Sequence, residues 1–524
     1  MFPMKLNIPQ RIAEVASTLE KAGFEAYLVG GCVRDILLSR EPKDWDITTN
    51  ARPEQIQDLF PRTFYENDFG TVGVVVEEGN DSHVTNDANL SRETHDYVPH
   101  ELSTEVTREP VEEKLHTEVV EVTPYRIEGK YSDYRHPDEV KFSNNLEDDL
   151  KRRDFTINAL AYDVSKGQIV DLYKGQGDIL RKTLRAVGNP TDRFQEDALR
   201  MLRAVRFAGE LGFTIESDTQ QAIVDCAGLL EQIAMERIKD EFSKMLMTAN
   251  PAPTVQICHQ LGLLKYFLPE LEEGLGIEQR GEHLYDVWEH NLRSLQHAAN
   301  RRWPFHVRLA ALLHDVGKPK TRLRDEVRSM WTFHGHDVVG GHMTKRIMER
   351  LKFSRETTEA VTKLVRYHLF FSDVDKITLS AVRRMVRNVG PERIWDLMKV
   401  RACDRIGTGR PKEAPYRLRK YEAMIEEAMR APVTVGMLKI NGGRIMEVTG
   451  EKPGPKIGFT LHALLEEVLD NPELNTADYL EQQARKLVGL PEEELKKLGE
   501  QGKEKRGELE EEAVHEIRKR HHVQ

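Results

Sequence analysis

The stretch Leu28–Asn50, LVGGCVRDILLSREPKDWDITTN, limits the fold of this chain more tightly than any other. An apolar strand, a glycine pair, a short helix with Arg34 and Asp35, and a second strand must close on one another within a few turns of chain. Side chains two apart on a strand project to one side, so Asp44 and Asp46 point together and Trp45 points away. Two carboxylates that close repel each other unless a cation lies between them, and an all-oxygen ligand set favours Mg²⁺. Gly30 and Gly31 let backbone N–H groups approach an anion, the next helix aims its N-terminus there, and Arg34 adds a charged donor. A DxD alone is usually an acidic surface strand. A glycine pair, an arginine and DxD in this order, with strands on either side, point to metal-assisted handling of a phosphate.

The flanking sequence continues the alternation. IPQRIAEVASTLEKAG has helical spacing and ends on Gly23, EAYLV reads as a strand, RPEQIQDLF as a helix opening on Pro53, and GTVGVVVE as a further strand. Residues of about 77–118 are polar, acidic and without a sustained period, which reads as a long insertion. TEVVEVTPYRIE then resumes the sheet. From about residue 180 the pattern is helical to the end, with a joint at NPAP and turns in RAPVTVGMLKINGG and GEKPGPKIG. The extreme end, from Pro491, is almost all charge and reads as a solvated helix or a frayed tail.

A length of 524 residues exceeds one core and implies three or four domains. With 39% hydrophobic and 31% charged residues the chain reads as soluble and globular. No apolar run approaches the roughly 18 residues of a membrane span, so no membrane partner is expected. The N-terminus lacks the apolar core of a secretory signal, and the four scattered cysteines form no CxxC pair, which suits reduced thiols in a cytoplasmic protein. A formal charge of -11 does not exclude a nucleic-acid partner, because binding depends on local basic patches and much of the acid sits in the insertion and the tail.

LVGGCVRD…KDWDITT resembles the head signature of the class II tRNA nucleotidyltransferases and poly(A) polymerases, within the polymerase-β-like nucleotidyltransferases. DLKRRDFTINALAYD (149–163) resembles that family's second motif, EDALRMLRAVRFAGELGF (196–213) its nucleotide-selecting helix, and IAMERIKDEFSKML (233–246) the neck helix after it. The resemblance implies an α+β chain, a small polymerase-β-like head with a mixed sheet followed by an all-α neck, body and tail. The expected boundaries are a head at 1–180, a neck at 181–250, a body at 251–430 and a tail at 431–524.

By this resemblance Arg153 and Asp154, with Arg152 alongside, contact the ribose and phosphates of an incoming nucleotide. Asp197 and Arg200, i,i+3 on one helix face, read the Watson–Crick edges of CTP and ATP, so that the protein serves as template. An intrahelical Glu196–Arg200 ion pair is the plain alternative. Arg203 and Arg206 continue the row at three-residue steps, towards triphosphate or RNA, or into solvent. The chemistry expected is two-metal nucleotidyl transfer, with Mg²⁺ at Asp44 and Asp46. Glu121 is the candidate third carboxylate; Glu118, of opposite strand parity, should face away. The tail should hold tRNA, although locally it shows only scattered Lys and Arg, such as Lys439, Arg444 and Lys456.

A second constellation consists of His290, the pair His314–Asp315, His336, His368 and Asp404, each on a helix or at a helix end. Imidazoles and carboxylates converging from several helices suit a divalent metal. The ordered H…HD…H…H…D run resembles the HD-domain metal-dependent phosphohydrolases. That resemblance implies His290, His314, Asp315 and Asp404 as the minimal ligand set and His336 and His368 as ligands of a second metal, either a transition metal or Mg²⁺. It also implies hydrolysis of 2′,3′-cyclic phosphates and related esters. His334 and His342 fit less well and stand as outer or phosphate contacts. The function expected for the whole chain is untemplated addition of CCA to tRNA from CTP and ATP. A CC-only or A-only enzyme, a poly(A) polymerase, and a hydrolase whose head only binds RNA are the alternatives. The insertion falls in the loop where the specificities differ.

Overall fold

The structure is a computed structural model and describes residues 6–65, 70–77, 117–129, 139–279, 284–327, 330–370, 377–430 and 435–523. The expected insertion therefore lies almost wholly outside the described residues. The chain forms two compact units, Met1–Glu272 with Arg350–Lys352, and Glu273–Glu349 with Phe353–Gln524.

The first unit is built on strands β1 (Ala26–Val29), β2 (Trp45–Thr49), β3 (Thr63–Tyr65), β4 (Val72–Glu77) and β5 (Thr117–Pro124), a hairpin of β6 (Arg126–Glu128) and β7 (Val140–Phe142), and strands β8 (Ala161–Asp163) and β9 (Gln168–Val170). Seven of these form one sheet in the order β3-β4-β5-β2-β1-β8-β9. β1 pairs antiparallel with β2 and β8, whereas β2 pairs parallel with β5, so the sheet is mixed as expected. The parity of β2 and β5 sorts their side chains. Trp45, Ile47, Val120 and Val122 share one face and are at most 5% exposed. Helix Gln10–Lys21 covers that face, burying Ile12, Val15 and Leu19, and its Arg11 bonds Glu118 at 2.7 Å. Burying each large aliphatic side chain there contributes roughly 2 kcal/mol. The opposite face carries Asp46.

The structure corrects one helix. The run from Arg193 to Phe213 was expected as a single helix, but Pro190–Glu196 and Leu199–Leu211 are separate, with Asp197 between them at φ -138° and ψ 103°. Leu199–Leu211 ends at Gly212, whose φ of 68° is a left-handed cap. Helix Pro251–Gln260 starts at the expected NPAP joint and crosses Leu199–Leu211 so closely that a side-chain carbon on Gly209 would lie 1.8 Å from Thr254 Oγ1.

Among the described residues the second unit is helical, with one exception that the sequence pattern did not suggest. Leu323–Asp325 and Met330–Thr332 form an antiparallel hairpin, whose three-residue strands are too short for a two-residue period to register. At the C-terminal end, Glu492–Arg520 is one 29-residue helix rather than a frayed tail. It docks on helix Pro455–Asp470 through Leu495, Gly499 and Gly502; a side-chain carbon on Gly502 would meet His462 O at 2.3 Å. All four cysteines are buried and free. Among the described residues no helix is long and apolar enough to cross a membrane.

Candidate functional sites

In the head the glycine turn, the acidic strand and the RRD motif meet at one point. Gly30 sits at φ 81° and ψ -133°, and a side-chain carbon there would stand 3.0 Å from Arg153 Nη1 and 3.3 Å from Asp46 Oδ2. β2 begins at Trp45, so Asp44 occupies the exposed bend just before the strand instead of the strand itself. Trp45 is buried on the far face as parity requires. Burial raises the pKa of the Asp46 carboxyl; Arg153 pulls it down, while Asp44 and Asp149 push it up, and the balance stays above the usual range. Crowded carboxylates of this kind suit a hard divalent cation. Glu121 pairs with Asp46 across the parallel β2–β5 ladder and shares its face, and Glu118 lies on the other.

Arg153 and Arg152 are both held by Asp149, which is fully buried and bonds them at 3.0 and 2.6 Å. Sequence reasoning passed over Asp149, although its i,i+3 and i,i+4 spacing to two arginines on helix Leu146–Lys151 and its C-cap was legible.

A second network lies behind the first. Arg34 is 6% exposed and grips Asp35 with Nε and Nη2 at 2.8 and 2.9 Å. Its Nη1 donates to Asn158 Oδ1 at 2.8 Å, and Asn158 Nδ2 donates to Asp154 Oδ1 at 3.1 Å. Asp154 also pairs with Arg203 at 2.8 Å. Burial would raise the Asp154 pKa, but Arg203 and the Asn158 hydrogen bond outweigh it and hold the carboxyl below its ordinary value. The guanidinium groups of Arg34, Arg203 and Arg206 lie 5.0, 5.9 and 4.2 Å from the ring of Phe207. Arg206 is anchored by Glu241 at 2.7 Å and Glu210 at 3.0 Å. Asn158 and Phe207 had no local signal, because their roles exist only through residues distant in sequence.

Asp197 and Arg200 do not share a helix face. Asp197 lies outside Leu199–Leu211; its Oδ1 accepts from Leu199 N at 3.1 Å and its Oδ2 pairs with Arg237 at 3.0 Å. Arg200 instead bonds Glu196 at 2.6 Å, though across the break between two helices rather than within one, and donates to Arg152 O at 3.0 Å. The extended backbone at Asp197 is what defeats the i,i+3 argument.

In the second unit all six expected ligands converge. Helix Val287–Asn300 supplies His290, helix Ile394–Gly407 supplies Asp404, and helix His336–Arg350 opens on His336. His314 and His368 directly follow helices Phe305–Leu313 and Arg355–Tyr367. Ligand atoms of His290, His314 and Asp404 fall within 4.8 Å of one another, as do those of Asp315, His336 and His368. Asp315 joins the two groups: Oδ2 lies 3.2 and 3.3 Å from His290 and His314 Nε2, and Oδ1 lies 3.4 and 3.6 Å from His336 and His368 Nε2. The Nδ1 atoms of His314, His336 and His368 each hydrogen-bond a carbonyl three residues back at 2.7–2.8 Å, which turns Nε2 to the centre. Burial lowers the His314 pKa, but Asp315 and Asp404 outweigh it and lift it to about 10, so these carboxylates demand positive charge. Lys318, 2.5 Å from Asp315, and Arg401, bonded to Asp404, answer part of that demand. This donor set fits a divalent metal pair. His334 and His342 are exposed, and only His334 borders the cavity of about 1070 Å³ that opens onto the ligands. In the tail Arg444 pairs with Glu481 and Glu447 at 2.7 and 2.9 Å, and Lys456 pairs with Glu451 at 3.5 Å.

Family models match both the head and the helical body of this chain. Residues 26–109 and 77–185 match the poly A polymerase head domain, residues 212–275 the "Probable RNA and SrmB- binding site of polymerase A", and residues 280–406 the HD domain. A poly(A) polymerase-type head joined to an HD domain defines a nucleotidyltransferase with a second, metal-binding centre. The CCA-adding enzyme of Streptococcus gordonii is 32% identical over 467 residues, 88% of this chain and 94% of that protein. The A-adding tRNA nucleotidyltransferase of Deinococcus radiodurans is 36% identical over 343 residues, 63% of this chain and 76% of that protein. The chain belongs to the tRNA nucleotidyltransferase family. In alignments with three further CCA-adding enzymes it spans about half of their length, 48% to 60%. The solved structure of the Bacillus stearothermophilus CCA-adding enzyme in complex with CTP superposes with a TM-score of 0.57 at 26% identity, covering 93% of this chain and 98% of that one.

Proposed function

We propose that this protein adds the CCA end to tRNA from CTP and ATP without a nucleic-acid template. The observation that carries this reading is the convergence of Asp46, Gly30 and Arg153 at one point, in a chain 32% identical to a CCA-adding enzyme over most of its length. Asp44 and Asp46 would hold Mg²⁺, with Glu121 the third candidate. Bound there, Mg²⁺ would orient and acidify the tRNA 3′-hydroxyl and neutralise the departing pyrophosphate. Gly31 leaves room for the triphosphate, and Arg153, close over Gly30 and steadied by Asp149, meets its charge. Asp154 and Arg152 take the ribose and phosphate edge. Arg34, with Asp35, and Arg203 and Arg206 brace this wall around Asn158 and Phe207. To read a base, Asp197 and Arg200 exchange Arg237 and Glu196 for the base edge. The tail from about 431 takes the body of the tRNA, and the neck lies at about 181–250.

In the body, His290, His314, Asp315 and Asp404 hold one divalent metal, and His336 and His368 complete a second position through Asp315. The site hydrolyses 2′,3′-cyclic phosphates and related phosphoesters, a reaction that would trim damaged tRNA ends in the cytoplasm.

A second reading has support of its own, since a relative 36% identical is an A-adding enzyme. One experiment separates the two. Purified protein is incubated with tRNA lacking its last three nucleotides, and with tRNA ending in CC, using labelled CTP and ATP separately and together. Two C and one A on the first substrate support CCA addition. Extension of the second substrate alone marks an A-adding enzyme, and long A tails would overturn both.

A further inference from the structure

The cavity beside the HD ligands is far larger than a phosphate group requires, at about 1070 Å³. Its inner end is walled by Asp315, His336, His368 and Asp404. Its wall also includes the aromatic residues Trp331, Phe333 and Tyr416, together with Arg405 and Arg417. Trp331 comes from the unexpected hairpin, where it stands opposite Arg324. The Arg322 guanidinium lies 3.9 Å from the Trp331 ring centroid, and Arg322 does not line the cavity. A cation thus lies against the indole of a half-buried residue and steadies a flat ring in the cavity's wall. A bare phosphate has no use for such a surface, whereas a nucleobase gains from stacking on it whatever its sequence identity.

We propose that Trp331 is the platform on which the HD site seats the base of a nucleotide-bearing phosphate ester, whose phosphate reaches the histidine and aspartate ligands. The inference rests on the reading of this site as a phosphohydrolase and adds a specificity residue to it.

The test uses the full-length protein loaded with Mn²⁺ or Ni²⁺ and three substrates: 2′,3′-cyclic AMP, a base-free 1-O-methylribose 2′,3′-cyclic phosphate, and a short RNA ending in a 2′,3′-cyclic phosphate. Trp331→Ala should raise KM for cyclic AMP about tenfold with kcat little changed, and leave KM for the base-free ester untouched. Trp331→Phe should recover most of the loss. If the RNA suffers the same loss, the seated base is an RNA terminus; if it does not, the ligand is a free nucleotide. Nucleotide addition by the head should be unchanged in both variants, and unchanged turnover of the base-free ester shows that their HD unit folds. An equal change for base-bearing and base-free esters, or none for either, overturns the proposal. Should the wild type hydrolyse none of the three, the phosphohydrolase reading fails, and binding decides the platform separately. Quenching of tryptophan fluorescence by AMP but not by ribose 5-phosphate, lost in Trp331→Phe, upholds it; identical quenching in both proteins overturns it.

Discussion

At Gly30 the backbone enters a region open to glycine and strained by about 1–3 kcal/mol for other residues, and the space above it is already taken by Arg153 and Asp46. Gly30→Ala should therefore lower single-turnover nucleotide addition at least tenfold and leave hydrolysis of a cyclic nucleotide intact; unimpaired addition would count against the site. Asp149 gives a pH-dependent case. Burial pushes its pKa up, but Arg152 and Arg153 outweigh it, and the folded carboxyl titrates below its ordinary value. Its contribution is thus present above the unfolded pKa of about 3.9 and is lost as pH falls through the lower folded value. Asp149→Asn breaks a buried ion pair and should destabilise the head by about 3–5 kcal/mol at pH 7. Calorimetry should show the gap between variant and wild type closing as pH approaches 3. Asp44, Asp46 and the RRD arginines stood out in the sequence as short motifs, and the six body ligands as an ordered run of histidines and aspartates. Asn158, Phe207 and Trp331 were not, since each acts on partners that only the fold brings near.

At the scale of elements, two glycines set how closely the ligand-bearing helices approach. A side-chain carbon on Gly407 would lie 2.2 Å from Ser294 Oγ and 2.7 Å from His290 O, and one on Gly317 would lie 2.3 Å from His336 O. Gly407→Ala should push Ile394–Gly407 off Val287–Asn300, part Asp404 from His290, now 3.4 Å away, and cost about 1–3 kcal/mol of stability. Metal analysis should then find less metal retained after dialysis. Gly507, with nothing within 4 Å, is the control: Gly507→Ala should stabilise helix Glu492–Arg520 by about 1 kcal/mol. Helices with an apolar stripe announced themselves through their period. The break at Asp197 did not, because propensity through EDALR favours helix and only the Arg237 and Leu199 contacts favour the extended residue. The charged tail concealed its docking for a similar reason, since contact there is made by Leu495 and two glycines rather than by an apolar stripe running the length of the helix.

Across the whole molecule the two chemistries should separate by single substitution. Asp44→Ala should abolish nucleotide addition and spare cyclic-phosphate hydrolysis, and His314→Ala should do the reverse; loss of both activities in a folded variant would refute two independent sites. That a nucleotidyltransferase head precedes an HD domain was legible because motifs of different chemistry follow one another along the chain, whereas the reach of the last helix was not. That helix grips Pro455–Asp470 near Leu495, and at its other end Ile517 and Val523 pack with Ala423 while His521 bonds Glu426 at 2.9 Å. Ala423 and Glu426 belong to helix Tyr416–Met429, whose first residues line the cavity. Twenty-nine residues make a strut about 43 Å long. Pinned at both ends, it joins helix Pro455–Asp470 to helix Tyr416–Met429 at the cavity's rim as a tie-rod does, bridging two separate packing contacts with one length of chain.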